Sequence, residues 1–136
     1  MQYDVIFAYL RLSRDDKEKI EESNSIKNQK LLIQHFVDNQ PEFAGARLLF
    51  FADDGYSGTT FDRPELQRMM GLITRRKRIC IIIKDLSRLG RDTIETQNYI
   101  EKIFPFLGVR FISINDFYDS ARNLRKERIR RLSLRT

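Results

Sequence analysis

The sequence predicts an α/β fold in which helices cover both faces of a mostly parallel sheet of four to five strands. Segments of strand and helix character alternate along the 136 residues in the order β-α-β-α-β-α-β, which is typical of parallel strands joined by crossover helices. RICIIIKD, residues 78–85, is a continuous apolar run bounded by charges, as expected for a strand buried on both faces. We therefore expect one three-layer αβα domain, with no internal repeat or linker.

The first half of the chain supplies two strands and one helix. Tyr3–Leu10 is rich in aliphatic and aromatic residues and is predicted to be the first strand. Ser25–Asn39 is predicted to be a helix, with Ser23 or Ser25 as its cap. The apolar residues at roughly helical spacing in it are Ile26, Leu31, Leu32 and Phe36. ARLLFFA, residues 46–52, is predicted to be the second strand.

A loop and a helix are predicted next. DDGYSGTTFDR, residues 53–63, is rich in Gly, Ser, Thr and Asp, which indicates a loop. Pro64 suits the first position of a helix, with Asp62 or Arg63 ahead of it. We expect this helix to continue through residue 76, before the apolar strand at 78–85.

The last two elements of the domain are a helix and a strand. Residues 92–107 are predicted to be helical, with an end near Pro105 and Gly108. VRFISIN, residues 109–115, is predicted to be the fourth strand. This strand completes the alternation.

Composition is typical of a soluble globular protein, with 41% hydrophobic and 32% charged residues. The longest purely aliphatic stretch, Ile81–Ile83, is too short to cross a bilayer, and the N-terminus lacks the pattern of a signal peptide. The single cysteine, Cys80, cannot form an internal disulfide, which agrees with a reducing compartment. We therefore expect a cytoplasmic protein without a membrane partner.

The net charge of +6 lies at the C-terminal end. Residues 122–136, RNLRKERIRRLSLRT, contain seven basic residues and one acidic residue, whereas the first 121 residues contain 18 of each sign. Such a cationic tail indicates contact with nucleic acid or a membrane surface. A solvated helix end is the alternative interpretation.

Four polar segments follow the predicted strands, and they can meet because the carboxyl ends of parallel strands share one edge of a sheet. They are RLS at residues 11–13, the loop at 53–63, KDLSRLGRD at 84–92 and IND at 114–116. Each segment alone is weak evidence, since a serine after a strand is usually a turn residue. Together they gather four arginines and a serine: Arg11, Arg63, Arg88, Arg91 and Ser13.

Arginines around a hydroxyl suit a phosphodiester as the substrate. Guanidinium groups bind phosphate oxygens bidentately and stay charged at any working pH. A preorganised positive field would stabilise the charge that develops in the transition state without a metal. Arg88 and Arg91 are three residues apart, so one helical turn would put both on the same face.

Other classes of catalytic site have less support. Asp53 and Asp54 could form a metal pair, but such aspartates more often cap turns, and a two-metal nuclease needs further carboxylates. The only histidine, His35, is expected to be solvated in mid-helix, which excludes a Ser-His-Asp triad. Cys80 is expected to be inert core, and no glycine motif of a nucleotide-binding enzyme is present.

In the order and spacing of five sequence motifs, the chain resembles the catalytic domain of the serine recombinases, the resolvase/invertase family. The segments are YLRLSRDD, SNSIKNQKLL, DDGYSGTTFDRPELQRMM, IIIKDLSRLGRD and FISIND, within about residues 3–120. The longer loops look like the large transposon-type branch. The resemblance implies cleavage of double-stranded DNA through a 5′-phosphoserine link, strand exchange and religation. It also implies a homodimer on DNA, a homotetramer at synapsis, and neither a metal nor another cofactor.

The resemblance also implies roles for individual residues. Ser13 would be the nucleophile, and the arginines named above would bind the phosphate. Gln29 in SIKNQ matches the active-site glutamine of the family, and Asp54 in DDGYSG matches its loop aspartate. Ser87 stands where many small members have Asp, so no general base is evident. Arg11 and Ser13 alternate along an extended segment, so both can point at one phosphate.

The implied domain boundary falls near residue 120. Residues 1–120 would form the catalytic domain, and residues 121–136 would begin a helix that leads to an absent DNA-binding region. In this basic tail Arg122 is a weak match to an arginine that the family supplies from its long helix. The residues of the tail expected to contact DNA are Arg122, Arg125, Lys126 and Arg128.

Three hypotheses for function remain. The first is a DNA strand transferase. The second is a non-catalytic DNA-binding or assembly module of the same fold, against which the intact RLS segment and the arginines argue. The third is a metal-dependent nuclease, which the sparse carboxylates disfavour.

Overall fold

The fold is a five-stranded sheet with helices on both faces, seen in a computed structural model that describes residues 2–12, 25–54, 63–90 and 93–122. Within these residues the strands are β1 Val5–Leu12, β2 Arg47–Asp54, β3 Ile79–Ile83, β4 Arg110–Ser113 and β5 Tyr118–Asp119. The helices are α1 Ile26–Asp38, α2 Pro64–Gly71, α3 Thr93–Asn98 and α4 Phe104–Leu107. The shorter turns are the 3-10 turns Pro41–Phe43 and Leu86–Arg88 and the π-helical turn Tyr99–Ile103.

The strand order of the sheet is β2-β1-β3-β4-β5. The first four strands are parallel, and β5 is antiparallel to β4. From β1 the chain adds β2 on one side and then β3 on the other, so the strand order changes direction between β1 and β3. Open α/β sheets bind ligands at the carboxyl ends of the strands that flank such a point. The predicted α/β class and mostly parallel sheet are confirmed.

Each face of the sheet has its own core. Phe7 and Tyr9 of β1 pack with Leu66 of α2 on one face, whereas Leu10 packs with Ile33 of α1 on the other face. All five residues of β3 are buried, as the unbroken apolar run predicts. The predicted three-layer arrangement is therefore confirmed.

Two of the strands that lead to the predicted site end two residues later than the sequence indicates. β1 ends at Leu12 instead of Leu10, and β2 ends at Asp54 instead of Ala52. The prediction that Asp53 and Asp54 begin the loop is therefore wrong for these two residues. They extend the parallel ladder, with Asp53 opposite Arg11 and Asp54 opposite Leu12, because pairing satisfies backbone groups that would otherwise be exposed or unpaired.

The helix that begins at Pro64 is shorter than predicted. It ends at Gly71 instead of continuing through residue 76. The hydroxyl of Thr74 accepts a hydrogen bond from the backbone N–H of Arg76 at 3.2 Å, and a threonine bonded in this way replaces the helical pattern with a turn.

The predicted helix at residues 92–107 is divided by a proline. Pro105 has no N–H and its ring crowds the preceding turn. The chain responds with the π-helical turn, in which the N–H of Phe104 donates to the carbonyl oxygen of Tyr99. Gly108, at a φ of 70°, ends α4 in the left-handed conformation, as glycine permits. Ser25 is the cap of α1, since its hydroxyl accepts from the N–H of Asn28 at 3.1 Å.

Candidate active site

Three of the predicted arginines meet at the carboxyl edge of the sheet. Arg11 lies near the end of β1, Arg63 precedes α2, and Arg88 lies in the 3-10 turn that follows β3. None of the three is more than 4% exposed. Because arginine is almost never buried without partners, each must be held by specific acceptors.

Those acceptors are mainly backbone carbonyls of residues 86–90, here named the 86–90 turn. Arg11 donates from Nη2 to the carbonyl of Ser87 at 2.5 Å and from Nε to that of Arg88 at 3.2 Å. Arg63 donates from Nη1 to the carbonyl of Leu89. The Thr96 hydroxyl donates to the carbonyl of Gly90 at 3.1 Å. Side chains from three separate elements thus fix the path of this turn.

Gln29 joins α1 to the end of β1. Its amide nitrogen donates to the carbonyl of Arg11 at 3.1 Å, and its amide oxygen accepts from the N–H of Arg11 at 3.4 Å. Arg88 Nη1 donates to the same carbonyl at 2.7 Å. Gln29 is fully buried, so the predicted site residues Arg11, Gln29 and Arg88 form one connected network.

Ser87 is exposed and points its hydroxyl to a neighbouring carboxylate. That hydroxyl donates to Oδ1 of Asp85, which also accepts from the N–H of Ser87 at 3.1 Å. The same oxygen lies 3.5 Å from Nε of Arg88. A carboxylate therefore stands beside Ser87 and Arg88 although position 87 itself carries a hydroxyl.

The last strand-end segment also reaches the 86–90 turn. Asp116 Oδ2 accepts from the N–H of Leu86 at 2.8 Å and from the hydroxyl of Ser113 at 2.7 Å. The segments after β1, β3 and β4 therefore meet at one edge, as the parallel sheet predicts.

Asp53, for which the sequence suggested a turn cap or, less often, half of a metal pair, is buried at the edge of the site. Its carboxylate accepts from the Tyr9 hydroxyl at 2.8 Å and from the N–H groups of Glu65 and Leu66 at 3.0 and 3.1 Å. Unpaired N–H groups at the start of a helix need such acceptors, and the side chain of Arg63 makes no capping bond. Burial, followed by the hydrogen bond and charge of Asp53, raises the pKa of Tyr9 far above its ordinary value.

Glu95 and Tyr99 line a cleft beside Arg63 and were also missed by the sequence analysis. Arg63 Nη2 donates to Oε1 of Glu95 at 2.5 Å. Burial raises the pKa of Tyr99, and the charges of Arg63 and Glu95 oppose each other on it. The cleft has a volume of about 230 Å³. No sequence signal connects Arg63 with Glu95, because their contact depends on how α3 packs.

The remaining predicted site residues have varied positions. Asp54 is exposed at the end of β2, and Arg122 is 82% exposed with its Nε 3.9 Å from Asp119. Residues 120–122 are helical. The predicted residues that lie outside the described part of the chain are Ser13, Arg91, Arg125, Lys126 and Arg128.

Other kinds of site find little support among the described residues. In them no group of three or more histidine, cysteine or acidic side chains has the geometry to hold a metal ion. His35 is exposed. Cys80 is buried, and burial raises the pKa of its thiol. Over the same ranges, no helix has the length and apolar character needed to cross a membrane.

Comparison with models of protein families identifies one family. The family model described as "Resolvase, N terminal domain" matches residues 6–132, whereas no curated protein matches significantly. The catalytic domain of TP901-1 integrase is similar in structure, with a TM-score of 0.71 and 23% identity over 87% of this chain and 82% of that chain.

Two further solved structures are similar. A resolvase family site-specific recombinase from Streptococcus pneumoniae has a TM-score of 0.66 at 20% identity, over 97% of this chain and 94% of that chain. The C-terminal catalytic domain of ISC1926 TnpA, an IS607-like serine recombinase, has a TM-score of 0.58 at 23% identity, over 91% of this chain and 77% of that chain. At these identities the likeness concerns the fold.

Proposed function

Because the chain belongs to the resolvase N-terminal domain family, we propose that it is the catalytic domain of a serine site-specific recombinase acting on double-stranded DNA. One observation carries this proposal: Arg11, Arg63 and Arg88 come from distant parts of the sequence and are buried around one turn. Burying a cation costs desolvation energy, so three buried arginines at the ligand-binding edge of a parallel sheet suit an anionic ligand. A DNA phosphodiester is that anion.

Ser13 is the nucleophile of the proposed reaction, two residues beyond Arg11. Its oxygen attacks the phosphorus, and the bond from phosphorus to the 3′ oxygen breaks. The 5′ phosphate becomes esterified to the serine, and the hydroxyl proton of Ser13 is formally transferred to the departing 3′ oxygen. The reverse attack by a 3′ hydroxyl of another strand restores the phosphodiester and regenerates the serine, so that no energy source is required.

The arginines supply the positive charge that this reaction needs. Each guanidinium has five N–H donors, and the contacts of Arg63 with Leu89 and Glu95 use two of them. Donors held in fixed positions stabilise the growing charge on the phosphate without rearrangement. Arg91 adds a fourth cation in this proposal, and the reaction proceeds without a metal or another cofactor. Gln29 fixes the end of β1 near Ser13, while Asp54 and Ser87 are supporting residues.

The proposal extends to assembly and to the ends of the domain. Residues 1–120 form the catalytic domain, and the basic residues from Arg122 onwards contact the phosphate backbone on the way to a DNA-binding region. The protein binds a DNA site as a homodimer, and two such dimers form a homotetramer when two DNA sites are brought together. Within the family, we assign the chain to the large transposon-type branch. We place the protein in the cytoplasm.

Covalent trapping on DNA tests the proposed reaction. A duplex that contains the recombination site and a nick next to the cleavage point should accumulate a DNA adduct on the full-length protein. Mass spectrometry should find the adduct on Ser13. Ser13→Ala should bind the same DNA but form no adduct. Ser23→Ala, at a serine to which the proposal gives no role, should react like the wild type.

The same assay distinguishes the alternatives. An adduct formed by Ser13→Ala would overturn the role of Ser13. DNA binding by the wild type without any adduct would favour the non-catalytic assembly module. Cleavage without an adduct would favour a hydrolytic nuclease.

A further inference from the structure

Arg63 is held on one side by the backbone and on the other by a carboxylate. Its Nη1 donates to the carbonyl of Leu89, and its Nη2 donates to Oε1 of Glu95 at 2.5 Å. The Arg63 side chain is 3% exposed, whereas that of Glu95 is 27% exposed. The arginine is therefore fixed, and the carboxylate stands at the boundary with solvent.

Glu95 also lies against the 86–90 turn. A Cβ atom added to Gly90 would lie 3.4 Å from Oε2 of Glu95 and 3.4 Å from the hydroxyl of Thr96. Gly90 lies between Arg88 and Arg91 in sequence. One carboxylate thus bonds to Arg63 and covers the backbone between two further arginines of the proposed phosphate site.

Arg63 has donor capacity beyond these two contacts. Its Nε is buried and has no hydrogen-bond partner among the residues that the structure describes. Carboxylate and phosphate oxygens bind guanidinium in the same geometry, through short charge-assisted hydrogen bonds. An oxygen of a phosphodiester can therefore take the position on Nη2 that Glu95 now occupies.

We propose that Glu95 is an internal competitor of DNA phosphate at Arg63 and so sets the affinity of the site for a phosphodiester. The inference rests on the proposed function, in which Arg63 binds phosphate. Two anions cannot use the same Nη2 position at once. On phosphate binding, the partly exposed Glu95 side chain rotates into solvent, while burial and the carbonyl of Leu89 keep Arg63 in place.

The charge of Glu95 can be removed without removing its shape. Glu95→Gln keeps a side-chain oxygen for Arg63 but competes less well with an anion. Diethyl phosphate is a suitable probe because it is a phosphodiester monoanion, and its binding is followed by the Nε–Hε NMR signals of Arg11, Arg63 and Arg88. We expect Glu95→Gln to bind the probe about two- to fivefold more tightly than the wild type, the effect of one partly exposed charge partner. Glu101→Gln, on the exposed side of the π-helical turn, should bind like the wild type.

A purely orienting role for Glu95 gives the opposite result. If Glu95→Gln binds diethyl phosphate no better than the wild type while the arginine signals respond, the inference is wrong and the phosphate site stands. If no arginine signal responds in either protein, both the phosphate site and the inference are wrong. In the wild type, the carboxyl ¹³C signal of Glu95 should shift as the probe saturates. An unchanged signal at saturation overturns the inference whether or not the variant folds.

Discussion

Arg11 and Arg88 each hold the main chain of the other. Arg11 Nε donates to the carbonyl of Arg88 at 3.2 Å, and Arg88 Nη1 donates to the carbonyl of Arg11 at 2.7 Å. The two residues are 77 positions apart; Arg11 lies near the end of β1, and Arg88 lies in the turn that follows the neighbouring strand β3. This reciprocal pair ties the end of β1 to the 86–90 turn, so the candidate site is anchored to the centre of the sheet.

Arg11→Lys tests how far the fold depends on this pair. Lysine keeps the positive charge, but its single side-chain nitrogen cannot replace both Nε and Nη2, which donate to two different carbonyls. We expect the free energy of unfolding to fall by about 2–4 kcal/mol, because buried carbonyls lose their donors. Urea denaturation measures the loss. Arg47→Lys, at the exposed first residue of β2, should change the free energy of unfolding by less than about 0.5 kcal/mol. Equal effects of both substitutions would contradict the prediction.

Gln29→Leu tests the link between α1 and β1. Leucine has a volume similar to that of glutamine. It leaves the N–H of Arg11 without its amide acceptor and the carbonyl of Arg11 with one donor fewer. We expect a loss of about 2–3 kcal/mol in the free energy of unfolding. The control is Gln34→Leu on the exposed face of the same helix, where the amide of Gln34 donates to Asp38 at 2.9 Å. A loss as small as that of the control would show that the buried amide is unimportant.

Tyr9→Phe should change how stability depends on alkaline pH. The pKa of Tyr9 is raised from an ordinary value of 10.0, first by burial and then by Asp53. Above pH 10 the unfolded chain loses this proton while the folded protein keeps it, so wild-type stability falls as the pH rises. In Tyr9→Phe, which lacks the hydroxyl, the free energy of unfolding should fall less steeply above pH 10, by about 1.4 kcal/mol per pH unit. The thiol of Cys80 is present in both proteins and cancels in the comparison, so identical slopes would refute the prediction.

Bond cleavage should not depend on divalent ions. The buried arginines already provide positive charge at the proposed phosphate site. We expect the rate of adduct formation to be unchanged by excess EDTA at constant ionic strength. Loss of cleavage in EDTA and its recovery in magnesium would instead support the nuclease hypothesis.

The basic tail should provide most of the non-specific DNA binding of this chain. Residues 1–121 contain equal numbers of acidic and basic residues, and seven basic residues follow. They allow at most about seven phosphate contacts, and such binding weakens steeply with salt. Salt titration of chains 1–136 and 1–121 on two unrelated duplexes measures the difference. Equal affinity with and without the tail, or a strong preference for one duplex, would show that the folded domain itself reads DNA.

Much of the architecture was predictable because strand and helix periodicities are local. The parallel order also predicted that Arg11 and Arg88 would share an edge, since the carboxyl ends of β1 and β3 meet there. The position of Ser13 and its role stay predictions. The π-helical turn was not predicted, because a proline indicates that a helix is disturbed without indicating how.

The contacts of the site were harder to predict than its position. Asp53 and Asp54 are identical in type and adjacent, and only the pleat of β2 decides that Asp53 is buried at the start of α2. Glu95 meets Arg63 through the packing of α3, which leaves no trace in residue spacing. That arginines bind carbonyls of the 86–90 turn is likewise a property of the folded backbone.

The position of β1 between β2 and β3 determines when the site can assemble during protein synthesis. β1 is made first, but both of its neighbours in the sheet, β2 and β3, are made later. At roughly 5–20 residues per second, the ribosome needs several seconds to reach the 86–90 turn. Until then Arg11 lacks the carbonyls that fix it, and a nascent chain has no assembled site. The proposed site therefore assembles only after β3 and the 86–90 turn have been made and have joined β1.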